Sequence, residues 1–236
     1  MIVRLLVLAA ILPITACQSP PEKPHQQPDR PDPNARFKAL KFTDVPEKEV
    51  RFVPPAGMAV EVVLDRLGFS SGVIDGKATR LDKSALRGFQ AASDLAETGQ
   101  MDEATRRALA QAGQIAPTRL VRIPAEFAKG PFVPGLPREA SGQAKYDHLG
   151  YRDLMEALAE RFHTTPETLI ALNSPGTKIG AGAVIRVPNV ADVDAATLPA
   201  DENGWNRTLM TLGVSPRQPR AAAVVVDKSD AVLRAY

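Results

Sequence analysis

Proline and cysteine together set the limits on how this chain can fold. Its 236 residues carry 21 prolines and a single cysteine. No internal disulfide can staple any part of it, and one thiolate alone builds no metal site. The prolines gather at segment joints, with apolar-periodic stretches of helix or strand length between them. This pattern predicts several small modules strung on linkers, each standing on its own core. A formal net charge of +2 is too balanced to argue for a grip on nucleic acid or on anionic lipid.

The chain opens with Arg4 and an apolar run over 5–12. That run is too short to cross a bilayer, which needs about 20 apolar residues. It reads instead as an export signal, residues 1–16. Ile14-Thr15-Ala16-Cys17 resembles the lipobox of bacterial lipoproteins. The resemblance implies lipidation of Cys17, and Gln18 after it implies delivery to the outer membrane. The location this predicts is the periplasm of a Gram-negative bacterium, with the protein lipid-anchored. Residues 17–46 then read as a disordered Pro-rich tether, since "QSPPEKPHQQPDRPDPNAR" over 18–36 offers almost nothing to bury. His25 lies within it and is assigned no role.

The first foldable module is placed at 47–115. In "AVEVVLDRLGF", Val60, Val63, Leu64 and Leu67 recur at helical spacing, and Gly68 ends the helix. "IDG" follows as a turn. "LDKSALRGFQAA" gives a second helix with Leu86 and Phe89 on one face. "TGQMDEATRRALAQ" gives a turn and a third, with Asp102 and Thr105 near its start and Leu109 on its inner face. The prediction is a small three-helix bundle.

These residues carry a resemblance. Val60-Glu61, Leu64, Leu67-Gly68-Phe69, Ile74-Asp75-Gly76, Leu86, Phe89-Gln90, Leu95, Thr98-Gly99, Asp102, Thr105 and Leu109 resemble the peptidoglycan-binding domain found beside many cell-wall enzymes. Two positions depart from the family pattern. Glu61 stands where the family has Gln, and "KATRLD" replaces an aromatic-Gly and Thr after the Asp-Gly turn. Taken singly, Asp75-Gly76 reads as a turn, and Phe89-Gln90 as a core aromatic beside a surface amide. The resemblance makes Asp75, Gly76 and Gln90 candidates for binding peptidoglycan glycan strands.

Residues 116–145 read as a Pro/Gly-rich connector with one or two strands, such as "TRLVRIP". Residues 146–190 read as a second module. Leu154, Leu158 and Phe162 share a helical face. Thr164 or Thr165 caps a following helix with Pro166 at its first position, and "AVIRVP" alternates as a strand. With "YDHLGY" as the opening strand, the order is βααβ. Tyr146, Gly150, Leu154, Leu158-Ala159, Phe162, Leu169, Leu172-Asn173, Gly182, Ile185 and Val187-Pro188 resemble the LysM pattern, and Asn173 joins the glycan-binding candidates. Glu160 and His163 have the Glu-x-x-His spacing of di-iron bundles, but no second copy exists to complete such a site. His163 is therefore read as a cap or a surface residue, and His148 as unpartnered. No metal or other cofactor is expected.

Residues 191–220 read as a linker whose "ENGWNRTLMTLG" forms a short helix with Trp205 packing on the next module. Residues 221–236, "AAAVVVDKSDAVLRAY", read as a β-hairpin. It resembles the first strands of the L,D-transpeptidase catalytic domain. The fold class expected is thus multi-module: a three-helix peptidoglycan-binding bundle, a βααβ LysM-like module, and the first hairpin of a truncated β-sandwich. The family's Ser-His-Gly-Cys motif is absent and Cys17 sits in the lipobox, so no catalytic residue is assigned and this chain is expected to be inactive alone. Two readings stay open: the non-catalytic N-terminal portion of an L,D-transpeptidase-like crosslinking enzyme, or a stand-alone lipoprotein tying membrane to wall. Neither reading fixes an oligomeric state.

Overall fold

A computed structural model describes residues 34–47, 52–146, 149–200, 204–217, 221–229 and 232–235. All belong to one compact unit spanning 33–236. Cys17, His25 and His148 lie outside the described residues. The elements are, in order, α1 (Ala35–Lys38), β1 (Thr43–Val45), α2 (Met58–Arg66), α3 (Arg80–Ala92), α4 (Glu103–Ala110) and β2 (Thr118–Arg122). Then follow α5 (Ala125–Ala128), α6 (Ala140–Gln143), α7 (Leu154–Arg161), α8 (Pro166–Leu172), β3 (Val184–Pro188), α9 (Trp205–Leu212), β4 (Val224–Asp227) and β5 (Val232–Ala235).

Local chemistry explains where the longer helices begin. Thr79 opens α3 with a capping box, accepting from the Asp82 N–H while the Asp82 carboxylate accepts from the Thr79 N–H. Asp102 accepts from Thr105 N at 2.8 Å, and Asp153 from Glu156 N at 2.8 Å. Of the two threonines considered for α8, Thr165 is the cap, accepting from Thr168 N with Pro166 in the first turn. Thr164 instead donates to the Ile74 carbonyl at 2.6 Å. That bond leaves its own module for the other one.

The three-helix bundle is present, but its first helix does more than expected. Leu64 packs with Ala85, Leu86, Phe89 and Leu109 in the bundle's own small core, with Val60 and Val63 against it. Met58 and Val62 point the other way, into a larger core built from Phe42, Val121, Ile123, Leu158, Phe162, Ile185 and their neighbours. Leu67, at helical spacing with Val60, Val63 and Leu64, is exposed. Helix α2 is thus apolar on two sides and shared by two cores. The expectation of modules on linkers is corrected accordingly.

The βααβ order also stands differently. Among the described residues of 146–151 there is no strand, only a parallel bridge between Phe132 and Tyr151. "YDHLGY" lacks β-branched residues, whereas "TRLVR" supplies a pleat that packs well. Strand β2, from the expected connector, pairs antiparallel with β3, placing Val121 opposite Ile185 and Leu120 opposite Arg186. Strand β1 adds to its other side with Asp44 opposite Val121. The sheet order is β1-β2-β3. Arg186 breaks the expected polar-out alternation. It is buried, with its guanidinium 4.4 Å from the centre of the Phe52 ring, bonded to Thr118 and paired with Glu47.

Residues 34–46 are therefore no tether. Phe37, Leu40 and Phe42 are buried in the large core, and Phe42 meets Phe127 and Phe162 edge-on at 4.9 and 5.0 Å. The expected linker 191–220 likewise folds back. Val193, Ala195, Leu198 and Met210 are core residues, and α9 packs on α1 and α7. Asn206 joins these ends, donating to Asn34 Oδ1 at 3.1 Å and to the Pro199 carbonyl at 2.8 Å. Trp205 itself is exposed, so the helix turns its other face inward. Gly213 closes α9 with φ of 70°, and its missing side chain makes room for Arg161, whose Nη1 would lie 2.3 Å from a Cβ there.

An ionic network crosses the same region. Arg119 grips Asp192 through two bonds of 2.7 and 2.9 Å, and also reaches Asp44 at 3.0 Å. The buried Arg161 pairs with Asp192 from the other side. Burial raises the Asp192 pKa, but the bonds and charges of the two arginines outweigh it and hold the group below its usual range.

One substitution separates tether from core. Phe42→Ala should cost about 3–5 kcal/mol, the usual loss for a buried aromatic. Chemical denaturation reads this directly; an unchanged midpoint would return residues 37–46 to a tether.

Candidate functional site

The sequence candidates divide once their surroundings are known. Gln90 is fully buried. Its Nε2 lies 2.8 Å from Thr105 Oγ1 and 3.0 Å from the Gln100 carbonyl and Thr98 Oγ1, and its Oε1 accepts from Gly99 N at 2.8 Å. It is neither a surface amide nor a residue a glycan can reach. Its amide stitches the 98–100 loop to α3 and α4. Asn173 does similar work after α8, donating to Leu169 O and Arg186 O and accepting from Arg186 N at 2.7 to 2.9 Å. Both are positioning residues for the fold.

Asp75 and Gly76 remain at a surface. Asp75 Oδ1 accepts from Lys77 N at 2.9 Å and its other oxygen pairs with the exposed Lys77 ammonium at 3.1 Å. Gly76 has φ of 79°, and a Cβ on it would stand 2.3 Å from Pro55. Only glycine lets this turn close onto the 54–57 segment. The structure thus buries Gln90 and leaves Asp75, Gly76 and Asn173 partly exposed, with the Asn173 amide already engaged by Leu169 and Arg186.

Behind the turn lies a residue that motif reading noted only as a departure. Glu61 of α2 is 3 % exposed, and its Oε2 accepts from Gly76 N at 2.8 Å. Burial pushes its pKa up to about 7; the Gly76 N–H opposes this, and the charges of Asp82 and Asp75 add to it. A second titrating group holds the same turn from the far side. His163, at φ of 53°, accepts from Ile74 N through its carbonyl at 2.7 Å. Its Nδ1 lies 2.8 Å from Asp65 Oδ1 of α2, and its Nε2 3.3 Å from the Leu212 carbonyl of α9. The bond to Asp65 raises its pKa, against the opposing effect of burial. As read from the sequence, His163 caps a helix. In the left-handed conformation it closes α7, donating its N–H to Glu160 O at 3.2 Å while the Thr164 N–H donates to Ala159 O at 2.9 Å. Its ring, however, is no free surface group. It is a staple between α2, the α7–α8 junction and α9. Among the described residues, no group of three or more His, Cys, Asp or Glu stands close enough to hold a metal ion.

With the three helices and the Asp-Gly turn placed, comparison with known families is specific. Residues 58–109 match the family described as "Putative peptidoglycan binding domain". The match begins at the first residue of α2 and ends inside α4, so it coincides with the bundle. No curated protein matches the chain. The chain carries a peptidoglycan-binding domain at 58–109.

Both titrating groups have folded pKa values raised above their unfolded ones, so both contribute stability that is present at low pH and lost as pH rises. For Glu61 the loss falls between 4.5 and about 7. For His163 it begins near 6.5 and extends above it. Thermal stability should therefore fall from pH 5 to pH 8. Glu61→Gln should flatten the lower half of that slope and gain, at pH 8, on the order of 2–3 kcal/mol over the parent. Melting curves across this range check it, and a Glu61→Gln profile parallel to the parent's would contradict it.

Proposed function

We propose that this protein is a peptidoglycan-binding lipoprotein of the bacterial envelope, the wall-binding and non-catalytic portion of an L,D-transpeptidase-like crosslinking enzyme. The single observation carrying the wall-binding role is the family match over 58–109, on a bundle whose Asp75-Gly76 turn stays at the surface. A LysM-like reading of the second half is supported by the order of β2, α7, α8 and β3 with β2 and β3 antiparallel. In this chain, residues 123–153 intervene between the first strand and the first helix.

The transpeptidase reading rests on the C-terminal hairpin. Strands β4 and β5 pair with Val226 opposite Leu233, and Val224, Val225, Val226 and Leu233 are all about half exposed or more. A lone two-stranded hairpin is marginal in water, so this one is suited to becoming part of a larger sheet. The lipid anchor at Cys17 and an outer-membrane location follow from the lipobox resemblance.

Sedimentation with purified sacculi tests the wall-binding role. The protein should pellet with sacculi well above an unrelated protein of similar charge, and equal pelleting would remove the reading. Cell fractionation tests the anchor separately: Cys17→Ser should leave the membrane fraction, and a variant that stays there would refute lipidation. Amides of 224–227 and 232–235 should exchange with solvent far faster than those of β2 and β3. Equal protection would mean that the hairpin is already packed.

A further inference from the structure

The two halves of the unit meet in an open groove of about 600 Å³, in the size range of ligand sites. One lip is the Asp75-Gly76-Lys77 turn of the peptidoglycan-binding domain, and the other is α8, presenting Glu167, Thr168 and Ala171. The floor is apolar, formed by Phe52, Pro54 and Leu172. We infer that this inter-module groove, and not the face of either half alone, is where the glycan strand binds. The inference rests on the wall-binding reading above.

Three features of the groove carry it. The first is chemistry. A chain of N-acetylated amino sugars presents apolar C–H faces and hydroxyl edges, and an apolar floor between polar lips matches both. The lips carry two carboxylates and one ammonium, so a polyanion is disfavoured. The second is preorganisation. Directly beside Asp75, Ile74 donates to the His163 carbonyl at 2.7 Å and accepts from Thr164 Oγ1 at 2.6 Å. These bonds fix one lip against the other before any ligand arrives, which reduces the ordering cost of binding. The third is shape. The Gly76 backbone sits against Pro55 so closely that any side chain there would collide with it, which fixes the turn on its own side. A separate depression on the bundle, beside Leu67, Leu95, Ala108 and Gln111, has contributions from one half only and serves as the control.

The test compares the purified protein with Ala171→Trp, which fills the groove from an exposed helix position, and with Gln111→Trp, which fills the control depression. Probes are sacculi and a peptide-free tetramer of β-1,4-linked N-acetylglucosamine, with melting temperature confirming that each variant is folded. Ala171→Trp should weaken both interactions at least about tenfold, with Gln111→Trp unchanged. Glu167→Gln, which keeps volume and removes one lip carboxylate, should weaken both about threefold. If the parent binds sacculi and Ala171→Trp and Glu167→Gln bind as well as it does, the groove is the wrong place although wall binding stands. If the parent binds sacculi and not the tetramer, the ligand is not the bare glycan and the inference fails. If the parent does not bind sacculi, the wall-binding reading fails and takes this one with it.

Discussion

Helix α2 buries apolar side chains on two sides, and the rest of the unit depends on that. Leu64 closes the small core of the peptidoglycan-binding bundle, while Met58 and Val62 enter the large core beneath the sheet. A three-helix bundle of this size buries little apolar surface and is marginal by itself. Sharing one helix with a second core removes the boundary at which the two halves could part. The result is one body where spacing and proline content predicted a string.

Polar groups reinforce the same joint. Asp65 of α2 meets His163, Glu61 of α2 holds Gly76, and Ile74 is bonded on both sides to the α7–α8 junction. A buried carboxyl is costly to ionise, and Glu61 keeps its place through the backbone N–H groups that the Asp-Gly turn aims at it, Gly76 foremost. The turn that faces solvent on one side is thus anchored to α2 on the other. The Asp75-Gly76 candidates for glycan binding stand on a turn bonded to both α2 and the α7–α8 junction.

Helices α3, α4 and α8 were legible because their starts are written locally: Thr79 with Asp82, Asp102 with Thr105, Thr165 with Pro166. The faces of α2 were not, since Met58, Val60, Val62, Val63, Leu64 and Leu67 surround the helix too fully for periodicity to choose an inside. Gln90 read as a surface amide because nothing in its neighbourhood foretells that Thr105 and the 98–100 loop will satisfy it from 8 to 15 residues away. The opening strand of the second half was misplaced by 28 residues' worth of chain between Thr118 and Tyr146, and pairing with β3 is a tertiary choice. One signal was available and missed. Phe37, Leu40 and Phe42 follow the Pro-rich stretch at a spacing that a solvated tether has no use for. Of the candidate site, the Asp-Gly turn was readable as a motif; the opposite lip, on α8, was visible only in three dimensions.

Native-state hydrogen exchange tests the shared-helix account most directly. In the parent, the slowest amides of α3 and α4 should open with the same free energy as those of β2 and β3, because neither half unfolds without the other. Val62→Ala, a cut on the large-core side of α2, should lower both sets together by about 1–2 kcal/mol. If that substitution weakened protection in β2 and β3 and left α3 and α4 as they were, the two halves would be independent modules and α2 would belong to only one of them.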